Sequence, residues 1–199
     1  VDCRGVPPFA RTDLAQVQRA FAQATPVPLR QAWLTAPERD FAPAVVRTGW
    51  RTSTLLVFAE LTDRDVFTRA ATHNGRFWQL GDTFEMFLQP PGDGSYLELH
   101  VTPNNLRLQL RFARPPVPTD IDPFASALIR EHIFESHTWA RPDGWCVLAE
   151  IPMAAPALRF SFSRYDYTRG REHPVISSSS PHAQPAFHRP EEWGHLRCV

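Results

Sequence analysis

Two carboxylates and an imidazole lie close together in the chain. Glu85, Glu98 and His100 all fall within the segment Phe77–Asn105, FWQLGDTFEMFLQPPGDGSYLELHVTPNN. Carboxylates accept hydrogen bonds and an imidazole gives or takes one, so the set suits the hydroxyls of a polar ligand. Period-two alternation orders it. In Thr83–Gln89, Asp82, Phe84, Met86 and Leu88 point one way, and Thr83, Glu85, Phe87 and Gln89 the other. In Tyr96–Thr102, Leu97, Leu99 and Val101 oppose Tyr96, Glu98, His100 and Thr102. In the next run Leu106, Leu108, Leu110 and Phe112 are expected inward, with Arg107, Gln109 and Arg111 outward. The expectation is a three-stranded, exposed, concave polar face carrying Glu85, Glu98, His100, Arg107, Gln109 and Arg111, with Trp78 or Phe187 at its edge. Opposite charges on neighbouring strands are also ordinary on a solvated sheet face, and the pattern alone leaves that reading open.

Such a face needs strands to hold it. Between the first two, Pro90-Pro91-Gly92-Asp93-Gly94 is turn chemistry: fixed φ from proline, then permissive glycine. Further strands are expected at Leu29–Trp33, Ala44–Trp50, Thr54–Leu61, Trp145–Ile151, Phe160–Tyr167 and, closing the chain, Gly194–Val199. A turn region, Arg47–Thr52, separates two of them. Helical spacing of Leu14, Val17 and Phe21 predicts a helix capped by Thr12 and ended before Pro26. Val66–Thr72 reads as a helical turn, and Asp122–His132, opened by Pro123, as a second short helix. Ser177–Pro190 is polar and irregular and reads as a loop. Short strands with proline-rich turns and few helices predict an all-β, antiparallel sandwich of one domain, residues 1–199.

Composition excludes several classes. The formal net charge is +0, with all 21 basic residues arginine, so no electrostatic footprint points to nucleic acid or an anionic membrane. No apolar run approaches the ~20 residues of a membrane-spanning helix. Phosphate-binding glycine loops, GxSxG and HExxH are absent from the sequence. Cys3, Cys146 and Cys198 have no zinc-site spacing. Cys3 and Cys198 lie near opposite ends of the chain, where termini often meet. Either a disulfide between them, which favours an oxidising compartment, or two free thiols fits the sequence. Cys146 reads as a small core residue.

The order of features from about Leu29 to Val199 resembles a DOMON-like β-sandwich of the carbohydrate-binding module family 9 type. The features are Trp78, Asp82, Glu85, Tyr96-Leu97-Glu98-Leu99-His100 and Pro103, then Trp145 through Ile151-Pro152, Arg164, and Phe187-His188-Arg189-Pro190-Glu191-Glu192-Trp193-Gly194. The resemblance implies a sandwich that binds a sugar, at a glycan end in the best-understood members, between two aromatic rings while polar groups hold the hydroxyls. It places Glu85 at the carboxylate position, Glu98 and His100 near the polar strand positions, and Phe187 at the second aromatic. Gln79 stands where the first aromatic belongs, with Trp78 one place away. Glu98 and His100 stand where the family has Arg- and Asn-like groups. The candidate carbohydrate site is therefore Trp78, Glu85, Glu98, His100, Gln109, Arg111 and Phe187, with no catalytic residue and no functional metal. The expected partner is carbohydrate, with attachment to a glycoside hydrolase or a surface protein and a secreted or periplasmic location. The resemblance also implies structural calcium, for which Asp63, Asp65 and Asp82 are candidate ligands.

Other readings compete. Trp78 reads as a stacking platform or a core residue, and His100 and His188 each read as hydrogen-bonded surface histidines. DOMON relatives include haem-binding electron-transfer domains with Met and His ligands, for which the available methionines are Met86 and Met153. Another alternative is a sandwich domain whose sugar site has diverged to another ligand. A third class is a glycosidase using Glu85 and Glu98 as its carboxylate pair, a reading set below the non-catalytic one.

Overall fold

The computed structural model describes residues 1–92 and 94–199. Asp93, in the expected turn, lies outside the described residues. The strands are β1 (Asp2–Gly5), β2 (Val27–Pro28), β3 (Ala44–Arg51), β4 (Thr54–Thr62), β5 (Thr83–Gln89), β6 (Tyr96–Val101), β7 (Arg107–Phe112), β8 (Glu135–Arg141), β9 (Gly144–Pro152), β10 (Ala157–Asp166), β11 (Val175–Ser178) and β12 (Gly194–Cys198). Two helices, α1 (Leu14–Phe21) and α2 (Pro123–Ala127), lie among them. One sheet runs β7-β6-β5-β10-β12 and the other β3-β4-β9-β8. On its second edge β10 pairs with β12 through Ala157–Phe160 and with β11 through Ser163–Asp166. β1 is the seam, parallel to β12 through Asp2 and Cys3 and to β3 through Arg4 and Gly5. The other ladders are antiparallel, so the expected all-β sandwich stands with a parallel join.

Apolar side chains segregate into three layers. Val46, Leu55, Val57 and Val147 of one sheet meet Phe84, Met86, Leu99 and Phe162 of the other in the main core. Outside the second sheet, α1 seats Val17 and Phe21 on Phe58 and Leu148, with Cys146 among them. Outside the first sheet, Phe87, Tyr96, Leu108, Leu110, Phe187 and Trp193 make a third layer. Both faces of both sheets are therefore covered, as in sheets whose strands read as near-continuous apolar runs.

Local departures have local causes. Asp13, not Thr12, caps α1, accepting from the Gln16 N–H. α2 ends at Ala127, because Leu128 is extended and bridges to Leu110. Where Val66–Thr72 was expected to coil, Thr68 bridges to Gly81 instead. Gly81 has φ 140°, and a Cβ there would lie 2.6 Å from the Phe67 carbonyl oxygen, so glycine alone fits this approach. Of the expected strand Leu29–Trp33 only an Arg30–Ser178 bridge forms, and the short strand β2 lies just before it. Ser177 and Ser178, expected in the loop, belong to β11. β1, β8 and β11 are short or polar, and the partners of β1, namely β12 and β3, are distant in sequence.

Candidate functional site

The site grows from the outer face of β5, β6 and β10. Cross-strand register sets Glu85 opposite His100 and Ser163, and Glu98 opposite Phe87. The expected convergence of Glu85, Glu98 and His100 is present. The side chains line or underlie a cavity of about 710 Å3, within the range of small-molecule sites. They are not exposed: Glu85 retains 2%, Glu98 5% and His100 0% of its surface. The third apolar layer and the segments carrying Phe124 and Phe187 roof what the sequence presented as an open face.

β7 is turned the other way. Its register sets Leu108 opposite His100 and Leu110 opposite Glu98, so leucines, not polar residues, share the carboxylate face. Gln109 and Arg111 lie opposite Leu99 and Leu97, on the reverse side, and Arg107 lies opposite Val101. This corrects the expected six-residue polar face. Gln109 is buried, donating to the Glu131 carbonyl at 2.9 Å and accepting from the Ile133 N–H at 2.7 Å. Arg107 binds the Phe134 carbonyl and Glu135, while Arg111 is exposed. The alternation was legible. The side that takes the leucines was not, because this sheet has apolar cover on both faces.

The polar floor is a relay. His100 Nε2 donates to Glu98 Oε1 at 2.6 Å, and His100 Nδ1 lies 3.3 Å from Glu85 Oε1. Beyond it, Glu98 Oε2 stands 3.4 Å from His188 Nε2, and His188 Nδ1 is hydrogen-bonded to the Tyr96 hydroxyl at 2.6 Å. The two longer approaches miss hydrogen-bond geometry, so Glu98 Oε2 and His100 Nδ1 are buried without a hydrogen-bond partner among the described residues. Such atoms cost free energy unless something completes them.

Burial raises the Glu85 carboxyl to about 8, helped by the charge of Glu98 and opposed by that of His100. Burial works the same way on Glu98, but the hydrogen bond and charge of His100, with the charge of His188, hold it below the usual carboxylate range. Burial also opposes charge on His100, yet the Glu85 charge and the Glu98 hydrogen bond raise it. His188 is lowered, chiefly by burial. Burial thus biases Glu85 toward its protonated form and His188 toward its neutral one, while His100 biases Glu98 toward its charged form, so the floor offers both donors and acceptors.

Aromatic rings make the walls. A 3-10 turn, Phe77–Gln79, presents Trp78 to the cavity and leaves Gln79 exposed. The Trp78 ring stands edge-on to His100 and to Phe124, 5.7 Å from each, and its carbonyl accepts from the Tyr167 hydroxyl at 2.6 Å. Phe187 lines the same cavity, 5.9 Å from Tyr165 and 6.3 Å from Phe87, with 5% of its surface exposed. The Trp193 indole N–H donates to the Phe187 carbonyl at 2.9 Å and holds this loop. Tyr165, Phe124 and His188 were not among the candidate site residues. Only the β5–β10 pairing places Tyr165 on the face, and Phe124 and His188 arrive on connections whose path local sequence does not encode.

The calcium candidates divide. Asp63, Asp82 and Asp166 converge, whereas Asp65 pairs with Arg169. The Arg164 guanidinium stands 2.9 Å from Asp63 and 3.1 Å from Asp166, and Asp82 accepts the N–H groups of Phe67 and Tyr167. The carboxylates here already hold a guanidinium and backbone donors, a poor fit to calcium, which takes six to eight oxygens. Met86 and Met153 are buried in the core cluster between the sheets.

The chain shares its fold with known sugar binders. A Bacteroides uniformis protein thought to bind carbohydrate superposes with a TM-score of 0.72 at 16% identity, over 100% of this chain and 98% of that one. A carbohydrate binding module of family 9 from Caldicellulosiruptor kristjanssonii, solved with cellotriose, gives 0.68 at 17% identity, covering 100% and 92%. The same module with glucose gives 0.69 at 17%, covering 100% and 95%. No family model and no curated protein matches the chain. At these identities the likeness is one of fold.

Proposed function

We propose that this chain is a non-catalytic carbohydrate-binding module that takes a sugar ring into the cavity between Trp78 and Phe187. One observation carries the reading: buried carboxylate and imidazole groups converge on the floor of a cavity whose walls are aromatic. Sugar rings present C–H faces to aromatic planes, and their hydroxyls need both donors and acceptors. Glu98 Oε2 is the acceptor, and Glu85, which burial biases toward its protonated form, and His188 add donors. The shared fold with modules solved with cellotriose and glucose supports the same reading. The position of His100 supports binding rather than turnover. The imidazole stands between the two carboxyls and pairs with Glu98, in the space where a hydrolase would set the bond to be cleaved. On this reading the module serves outside the cytoplasm, attached to a glycoside hydrolase or a surface protein.

Isothermal titration calorimetry against glucose, xylose, cellobiose and a wider panel of mono- and disaccharides tests it. Saturable heat with at least one sugar, with affinity weakened roughly ten- to a hundredfold in Glu98→Gln, is expected. No saturable heat with any sugar overturns it.

A further inference from the structure

Outside the cavity, the structure brings two thiols together at the seam of the sandwich. Cys3 of β1 and Cys198 of β12 are direct register partners on parallel neighbouring strands. Both side chains face the main core, Cys3 fully buried and Cys198 partly so. Each thiol influences the other's titration across the pair, and both are free. Neighbouring strands lie ~4.8 Å apart, inside the Cα separation of about 4.4–6.8 Å that a disulfide spans.

We infer that Cys3 and Cys198 form a redox-closed clasp across this seam, made by exchange with a low-molecular-weight disulfide such as oxidised glutathione. The two thiols have different parts. Burial pushes the Cys3 thiol up to about 12, so it is a poor first nucleophile. Cys198, on the last residues of β12 and partly exposed, meets the oxidant. Its thiolate attacks one sulfur of glutathione disulfide, forming a mixed disulfide and expelling a glutathione thiolate, which takes up the proton Cys198 lost. The Cys3 thiol then gives up its proton and attacks the Cys198 sulfur, expelling the second glutathione thiolate. The protein loses two protons and two electrons, and glutathione disulfide gains both to become two glutathione thiols.

The gain is mechanical. β1 is only four residues long and holds two register pairs on each side. It also pairs with both sheets, so its release parts the join between them. A bond to Cys198 ties β1 down and closes a loop of nearly the whole chain, the case in which cross-linking restricts the unfolded state most.

Incubation of the intact protein in a glutathione redox buffer, followed by intact-mass measurement, peptide mapping and thermal melts, tests the clasp. The expected result is a species two hydrogens lighter with a linked Cys3–Cys198 peptide pair. Its Tm should stand about 10 °C or more above that of the reduced form, reversibly with dithiothreitol. Cys198→Ser should abolish the mass change and the Tm shift, Cys3→Ser should stop at a glutathione adduct on Cys198, and Cys146→Ser should behave as the parent. A parent that stops at the adduct, or a linked form that melts no higher than the reduced one, overturns the inference. Peptide mapping of the parent settles the linkage even if a serine variant fails to fold.

Discussion

Glu98 works as an acceptor because His100 keeps it ionised, and it has one oxygen left over. Glu98→Gln keeps the shape and removes the charge, and a hydrogen bond to a charged partner contributes about 1.5–3 kcal/mol. The variant should weaken sugar affinity by roughly ten- to a hundredfold in calorimetry. The neighbouring pair Trp78 and Gln79 gives a sharper contrast. Trp78→Ala should cost about tenfold or more in affinity through loss of the stacking wall, whereas Gln79→Ala, on an exposed side chain, should leave it unchanged. The reverse pattern would return the stacking role to the position the resemblance assigned. The carboxylate–imidazole group itself was readable from alternation on two strands joined by a short turn, since their register follows from the turn. The aromatic at Trp78 was readable only as a neighbour of the expected position. Which of two adjacent residues a 3-10 turn presents depends on the turn's exit angle at Gly81, set by contact with Phe67.

At the scale of elements, β7 separates two accounts of the site. Gln109 was expected to grip the ligand, yet in the structure it fastens the connection at Glu131 and Ile133 to the sheet. Gln109→Ala should leave sugar affinity unchanged and lower stability by about 1–3 kcal/mol in urea denaturation, the cost of unpaired buried backbone groups. A loss of affinity at unchanged stability would restore the polar face read from sequence. Arg111→Ala should change neither. A polar residue flanked by leucines says that the strand has two distinct faces. It does not say which faces solvent, and here most of both faces is covered, with Arg111 alone among the β7 residues exposed. That information lies in what roofs the sheet, namely α2, the Phe124 region and the loop carrying Phe187, and those segments carry little periodicity. The sandwich as a whole was legible because the long strands β3, β4, β5, β6, β9 and β10 each advertise themselves by composition and turns. β1 was not, since its partners β12 and β3 lie far away in sequence, and β8 and β11 were not, since one is polar and the other only four residues long.

Across the whole molecule, buried charge sets the response to pH. Burial raises Asp82 to about 8, helped by the charge of Asp63, and raises Asp166 to about 7 against the pull of Arg164. Glu85 stands at about 8 for the same primary reason. A carboxyl held above its unfolded value is favoured in its protonated form. Its contribution is therefore fully present below the unfolded value, near 4, and lost as pH rises through about 7–8. His100, raised by its carboxylates, acts in the same direction, while Glu98, held low, acts oppositely at the acid end. Thermal melts should show Tm falling from about pH 5 to about pH 9, with a shallower fall in Glu85→Gln. A Tm that rises over that interval would contradict the burial of these groups. Arg164 bridges Asp63 and Asp166 inside the same end of the sandwich. Arg164→Met should cost about 3–5 kcal/mol, because it leaves the carboxylates without their cation.

The central claim is that a sugar sits between Trp78 and Phe187 over the Glu85–His100–Glu98 floor. A crystal structure of the protein soaked with the best-binding sugar tests it most directly. The account predicts a ring packed on the Trp78 face with a hydroxyl within hydrogen-bond distance of Glu98 Oε2. Sugar bound elsewhere, with this cavity holding only solvent, would contradict it.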